Sequence, residues 1–322
     1  MKKILKALLA LAVAASCAGA SAAYPDRPLK IVVPYAPGGA PDALARLFAE
    51  ELAKLLQQPV IVDNKPGAGS VIGTQFVASS PADGYTLLMV DSPFTTAPAL
   101  YGNRIKYRVD KDFTPLVFVG TTPLYLYASG DSSIRNVADL VRLAETNGGG
   151  ISYGSGGNGT LTHLLGEMLR LETRAPMTHV PYRSVTLAMG DLVAGQLQGQ
   201  FSSYASARGY VDAGRIRPIA VTGTSRTKEA PETPTFAELG VKGFDMTLWW
   251  GVVAPAGVSP AVQARLTGAL AKVMSMPQII ERLSALNINI AADVGPEALR
   301  KTIETDQARF QEIATRAQLK AE

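Results

Sequence analysis

The stretch that most restricts how this chain can fold runs from Ile151 to Met168. Ile151 and Tyr153 open a short β-branched and aromatic run, and glycines follow at 154, 156, 157 and 159. Leu161, Leu164, Leu165 and Met168 then recur at helical spacing. This is a strand feeding a helix through a glycine turn. Loop amides that point into a helix N-terminus can hold an anion without a cationic side chain. Gly154, Gly156 and Gly159 also spell G-x-G-x-x-G. A dinucleotide site needs an acidic residue at the end of the next strand, ~20 residues on, to hold the ribose. The next apolar run, Met177 to Tyr182, ends without one, and Glu172 falls before it. Three readings stay open on these residues alone: a small-anion cradle, a nucleotide site, and a tight turn with no ligand.

The N-terminus alters the charge balance. Lys2, Lys3 and Lys6 precede an unbroken apolar run from Ala7 to Ala15, and small residues follow as far as Ala23. That order is the pattern of a secretory leader, with cleavage expected after Ala23. The run is too short to span a bilayer. Cys17, the only cysteine, is expected to leave with the leader. Its lipidation is the alternative, but Ala14, Ala15 and Ser16 lack the leucine expected in that context. The whole chain has 31 Lys and Arg against 27 Asp and Glu. Without the three leader lysines the balance is 28 against 27, so no basic stripe points to nucleic acid. About 300 residues remain, enough for two domains, and without disulfides their stability must come from burial.

The strand–turn–helix unit repeats along the chain. A strand is expected from Leu29 to Pro34, a turn over Pro37, Gly38 and Gly39, and a helix with Leu44, Leu47, Phe48, Leu52 and Leu55 on one face. Asp42 sits in its first turn, as a capping carboxylate would. A strand from Pro59 to Asp63, a second glycine turn over residues 66–70, a helix from Val71 to Ser79 and a strand from Tyr85 to Val90 come next. Extended runs at Phe113 to Val119 and Pro123 to Tyr127 lead into a second series. That series holds helices at Val137 to Ala144 and Val185 to Val193, and strands at His179 to Tyr182, Gln200 to Phe201 and Ile216 to Val221. It closes with a short helix at Phe236 to Leu239. An aromatic run from Met246 to Val253 precedes helices at Pro260 to Met274, Pro277 to Leu286 and Pro296 to about Arg316. Alternating strands and helices predict parallel sheets covered on both faces, with ligands at the carboxyl ends of the strands. The order suggests a first domain completed by the C-terminal helices, with a second inserted between crossover strands near Leu124 and Leu248.

Catalytic and metal motifs are sparse. The two histidines, His163 and His179, have no ligand-spaced partner, so no metal site is expected. Ser155 lacks the flanking glycine of G-x-S-x-G, and no phosphate-loop lysine motif occurs. A Ser155–His163 pair stays open, because triads assemble in space. Tyr182 and Tyr204 either line a pocket or plug a sheet edge.

Several stretches in this order and spacing match one family. They include residues 24–28, Val33-Pro34 with Gly38, Gly39 and Asp42, residues 64–69 with Ile72 and Gly73, and residues 111–113. Gly154, Ser155, Gly157, Asn158, Gly159 and His163 follow, then residues 179–182, Gly195-Gln196, residues 201–203, 219–222, and Trp250 with residues 254–257. The chain resembles the substrate-binding proteins of the tripartite tricarboxylate transporter, the Bug family of periplasmic receptors. The resemblance implies an α/β, type II-like two-domain periplasmic binding protein, each domain a mostly parallel sheet flanked by helices, joined by two crossover strands. It implies domains over residues 24–124 plus 247–322 and over 125–246, after a leader at 1–23. It further implies a monomeric, non-catalytic receptor without cofactor or metal, which closes on a small carboxylate and delivers it to membrane permease subunits. Carried over by position, the binding residues are Gly38, Gly39, Gly69 and Ser70 from the first domain, and Ser155, Asn158, Thr160, His163 and Tyr204 from the second. Tyr182 and Arg183 stand beside the cleft. Two positions depart from the family pattern. Ser70-Val71 stands where Gly-Asn is usual, and Ser184 where glycine follows the Val-Pro-Tyr motif. Val71 would narrow the pocket if it faced inward, and Ser184 adds a hydroxyl. A receptor that feeds a sensor and a hydrolase using the same glycine loop are the rival readings.

Overall fold

The computed structural model describes residues 24–319. The expected leader and Cys17 lie outside the described residues. The first third of the described chain builds β1 (Leu29–Val33), α1 (Ala40–Leu56), β2 (Val60–Asn64), α2 (Val71–Ala78), β3 (Thr86–Asp91), α3 (Pro93–Tyr101) and β4 (Phe113–Thr122). One residue later β5 (Leu124–Ser129) begins a second series. It continues with α4 (Val137–Thr146), β6 (Ile151–Ser155), α5 (Leu161–Thr173), β7 (Met177–Pro181), α6 (Val185–Val193), β8 (Gly199–Ser203), α7 (Tyr204–Asp212) and β9 (Ile216–Val221). The chain then returns through β10 (Leu248–Pro255), α8 (Pro260–Met274), α9 (Pro277–Ala285), β11 (Asn289–Ile290) and α10 (Pro296–Arg316).

These strands form two mixed sheets, ordered β11-β4-β10-β3-β1-β2 and β7-β6-β8-β5-β9. The parallel pairing expected from the alternation holds for the trios β2-β1-β3 and β7-β6-β8. The strands added beside each trio, β10 with β4 and β5 with β9, run antiparallel. They belong to the segments that carry the chain from one sheet to the other, so no crossover helix sets their direction. β1 is buried almost throughout, which is why it reads as a continuous apolar run and not as an alternating one.

Each sheet buries apolar side chains on both faces. Phe48 and Leu52 of α1 and Leu266 and Leu270 of α8 cover one face of the first sheet, and Phe94 of α3 with Leu299 of α10 covers the other. On the second sheet Leu164, Leu165 and Leu169 of α5 lie on one face and Met189 and Leu192 of α6 on the other. α10 is long enough to serve both sheets. Its first turns pack against the first sheet, while Phe310 and Ile313 join the core of the second.

Helices α3 and α7 and the two-residue strand β11 escape the periodicity reading. α3 contains Pro93 in its first turn and Pro98 inside it. In α7 only Ala207 is fully buried, so there is no apolar stripe to read. The expected short helix at Phe236 to Leu239 is instead a hydrogen-bonded turn. There Thr235 and Glu238 cap each other, the Glu238 carboxylate accepting from the Thr235 amide at 2.6 Å and the Thr235 hydroxyl from the Glu238 amide at 3.1 Å, and the chain turns away after Gly240.

Candidate functional site

The glycine turns and helix starts meet at one cleft between the sheets. Its volume is about 480 Å³, within the range of small-molecule sites. Among the described residues the starts of five helices line it. From the first sheet come Gly38, Gly39 and Ala40 at α1, after β1, and Asp91 and Pro93 at α3, after β3. From the second come Gly156, Thr160 and Thr162 at α5, Val185 at α6, and Ser203, Ala205 and Ser206 at α7, after β6, β7 and β8. All lie at carboxyl ends of parallel strands, where doubly wound sheets bind ligands. The first N–H groups of a helix have no intrahelical acceptor, and each start carries about half a positive charge.

Local chemistry fixes these starts. Asp42, buried in the first turn of α1, accepts from the Gly38 amide at 3.0 Å, from Arg46 at 3.0 Å and from Asn64 at 3.0 Å. The Arg46 hydrogen bond foremost holds its carboxyl down at about 2. Gly38 has φ +96°, a conformation in which a side chain would be strained. Thr160 caps α5 and Ser203 caps α7 through their hydroxyls.

The central glycine loop is tied up by its own neighbours. The Gly156 amide donates to Thr162 Oγ1 at 3.1 Å, the Gly157 amide to Ser155 Oγ at 3.0 Å, and the Gly159 amide to His163 Nδ1 at 3.0 Å. The loop therefore presents the start of α5 to the cleft, while these three amides are spent within it. Thr96 Oγ1 of α3 donates to the Gly159 carbonyl at 3.2 Å, which links the two halves beside the cleft.

Of the sequence-derived residues, Gly38, Gly39 and Thr160 line the cleft. Gly69 and Ser70 do not. They sit in a turn after β2, the edge strand one place beyond β1, and Ser70 is buried. Ser155 is fully buried, and its Oγ lies 2.6 Å from Nε2 of His179, not of His163. His163 stacks on His179 with ring centroids 3.9 Å apart. Burial lowers the pKa of both histidines, that of His179 to about 4, which leaves Nδ1 of His163 free to accept from Gly159. Asn158 and Arg183 are exposed and lie outside the lining. The Tyr182 hydroxyl donates to Asp191 at 2.5 Å, and the Tyr204 ring, at the first position of α7, lies 5.6 Å from Tyr125. Neither tyrosine lines the cleft. The two departures from the family pattern also stay out of the lining. Val71 is buried in the core, and Ser184 caps α6 by accepting from Leu187.

Residues not singled out from the sequence complete the lining. Ser202 is 1% exposed, and its Oγ has no hydrogen-bond partner. Trp250, Leu124, Leu248, Leu286 and Ile288 supply an apolar wall, with Trp250 Nε1 donating to Thr122 at 3.4 Å. The available signals were the Ser202-Ser203 pair at the end of an extended run and the Asp91-Ser92-Pro93 sequence, a helix-start signature. Among the described residues no Lys, Arg or His lines the cleft.

The model of the tripartite tricarboxylate transporter family receptor, TctC, matches residues 44–319. The chain belongs to the TctC family. It is 36% identical over 300 residues to a UPF0065 protein in the tcbD-tcbE intergenic region of Pseudomonas sp. (strain P51), covering 93% of this chain and 89% of that one. Its fold superposes on the periplasmic binding protein BugD with a TM-score of 0.78 at 32% identity, covering 93% of this chain and 100% of that chain. It superposes on Rpa4515 of R. palustris, solved with adipate, with a TM-score of 0.80 at 28% identity, covering 92% and 99%. A TctC-family chain with this fold is a solute-binding receptor, and its structural neighbours are periplasmic binding proteins. No described helix is long and apolar enough to cross a membrane.

Proposed function

We propose that this protein captures a small carboxylate outside the cytoplasm and presents it to the membrane subunits of a tripartite tricarboxylate transporter. The observation that carries the reading is the cleft itself: five helix starts, buried serine and threonine hydroxyls, an apolar wall, and no basic side chain. Fixed amide and hydroxyl donors favour a carboxylate without the desolvation cost of a buried guanidinium. The adipate found in the R. palustris relative is a molecule of that kind. Gly38, Gly39, Thr160, Thr162, Ser202, Ser203 and Ser206 are the assigned contacts. Ser155 and His163 hold the glycine loop at the start of α5, and Gly69, Ser70, Asn158, Tyr182, Arg183 and Tyr204 are not assigned as contacts. In this reading residues 24–124 with the chain from 247 onward make one lobe and residues 125–246 the other, and the end of α10 reaches across to pack on the second. A solute that touches both lobes binds the closed form better and so shifts the population toward it. The closed form is the signal that the permease reads.

A thermal-shift screen over small mono- and dicarboxylic acids tests this reading. A solute at a hundred times its Kd stabilises the folded state by about 2.7 kcal/mol, roughly 4 °C for a chain of this size. No shift with any acid, or an equal shift with uncharged amides of the same shape, would remove the carboxylate assignment. Solute-dependent co-purification with permease subunits tests delivery.

A further inference from the structure

Asp91 is the one formally charged side chain among the described residues that line the cleft. It ends β3, immediately before α3, and is 7% exposed. Its Oδ1 accepts from the Tyr35 hydroxyl at 2.6 Å. Burial pushes its carboxyl up to about 7, against the opposing pull of that hydrogen bond. No cationic side chain of the lining neutralises it. A second carboxylate brought close to an ionised Asp91 is repelled, the more so because Asp91 is buried. Asp91 is therefore an odd member of a cleft that has only to attract anions. A positive group in the same cleft would repay its burial. Trp250, paired with Asp91 across β3 and β10, also lines the cleft. A carboxylate together with an aromatic ring is the pairing that draws an ammonium group.

We infer that the solute carries a cationic nitrogen beside its carboxylate, and that Asp91 receives this nitrogen while the helix starts receive the carboxylate. The solute class is thus amino acids and other amine-bearing acids, not plain di- or tricarboxylates. This inference rests on the carboxylate reading of the cleft.

The test is titration calorimetry of the mature protein with matched pairs that differ only by an amino group: succinate and aspartate, glutarate and glutamate, adipate and 2-aminoadipate, butyrate and 4-aminobutyrate. In at least one pair the amine-bearing acid should bind about ten-fold tighter or more, the worth of a charge-assisted hydrogen bond. In Asp91→Asn, which keeps the shape, that ratio should fall to near one. Equal or tighter binding of the plain acid to the wild type overturns the inference. So does a ratio that survives in Asp91→Asn. Tighter binding of a plain diacid with uptake of a proton would make Asp91 a neutral donor, which also overturns it. If the variant fails to fold, the wild-type ratio decides alone. If no acid of either series binds, the carboxylate reading itself falls and takes this inference with it. If acids bind without regard to the amine, only the inference falls.

Discussion

Ser202→Ala offers a test in which stability and affinity should move in opposite directions. Ser202 lies on β8 opposite Tyr125 of β5, and its buried hydroxyl has no protein partner. An unsatisfied buried polar group costs the fold ~1–3 kcal/mol. Removing this one leaves the strand backbone untouched and a void of only one atom. The solute-free protein should gain about 1 kcal/mol, a rise in Tm of roughly 1–2 °C. If the hydroxyl is there to donate to a carboxylate, binding should lose a charge-assisted hydrogen bond, so affinity should fall about ten-fold. Scanning calorimetry of the solute-free protein gives the first quantity. Titration with the tightest-binding acid of the screen gives the second. Thr267→Val is the control, because Thr267 Oγ1 on α8 is also buried and unpartnered but lies outside the cleft lining. It should share the gain in stability and leave affinity alone. A Ser202→Ala protein with lower Tm and unchanged affinity would show that the hydroxyl serves the fold and not the solute, and the argument from the orphaned oxygen would be lost.

Three further outcomes follow from named contacts. Asp42→Ala should loosen the Gly38–Gly39 turn and weaken solute binding, read by calorimetry, because Asp42 alone ties Gly38, Arg46 and Asn64 together. Its carboxyl is held at about 2, below its unfolded value, so its contribution is present above pH ~4 and is lost as pH falls through 2. Wild type and variant should therefore converge in acid unfolding there. Gly166→Ala should destabilise by about 3 kcal/mol in urea, since a Cβ at that helical position would stand 1.9 Å from Tyr153 Cε2. The Tyr153 ring is pinned by a 2.7 Å hydrogen bond to Glu167, and an unchanged midpoint would mean that it can move aside. Asp306, which accepts from Trp249 Nε1 at 2.6 Å, has its carboxyl raised by burial to about 6. A raised acid costs stability when ionised, so the cost is present above pH 6 and disappears as pH falls toward 4. Asp306→Asn should raise stability by about 2 kcal/mol at pH 8 and by nothing near pH 4, as measured by thermal unfolding across pH.

The frame was legible because its strands and most of its helices carry their own local signals. β1 is a buried apolar run, α1 and α5 show apolar stripes, and Gly38, Gly39 and Thr160 mark where strands turn into helices. Those three positions line the cleft. What stayed hidden depends on direction and neighbours. The mixed sheets arise from where β10 and β5 are inserted, and residue spacing carries no record of that. α7 has too few buried residues to show a face, so Ser202 and Ser203 read as the tail of an extended run and Ser206 carries no signal. The sequence left a Ser155–His163 pair open, whereas β6 and β7 bring the buried Ser155 to His179. Asp91 reads as the residue just after a strand, and only the fold turns that strand end toward the other sheet.

The contrast between Gly39 and Asp91 separates two layers of recognition. The helix starts come with the topology: any chain with these strand orders brings five of them to the gap between the sheets, whatever side chains it carries. Their partial charges are permanent and already oriented, so attracting an anion needs neither a buried Lys or Arg nor much reorganisation on closure. Such attraction is general and says little about which acid fits. Discrimination must come from groups that the topology leaves free to vary, and in this cleft those are Asp91, Ser202, Trp250 and the leucines of the apolar wall. A buried carboxylate in a ring of positive helix ends lowers the attraction for every plain acid. It raises the attraction only for a solute that brings its own positive charge, which makes Asp91 a device for rejecting the wrong anions as much as for holding the right one.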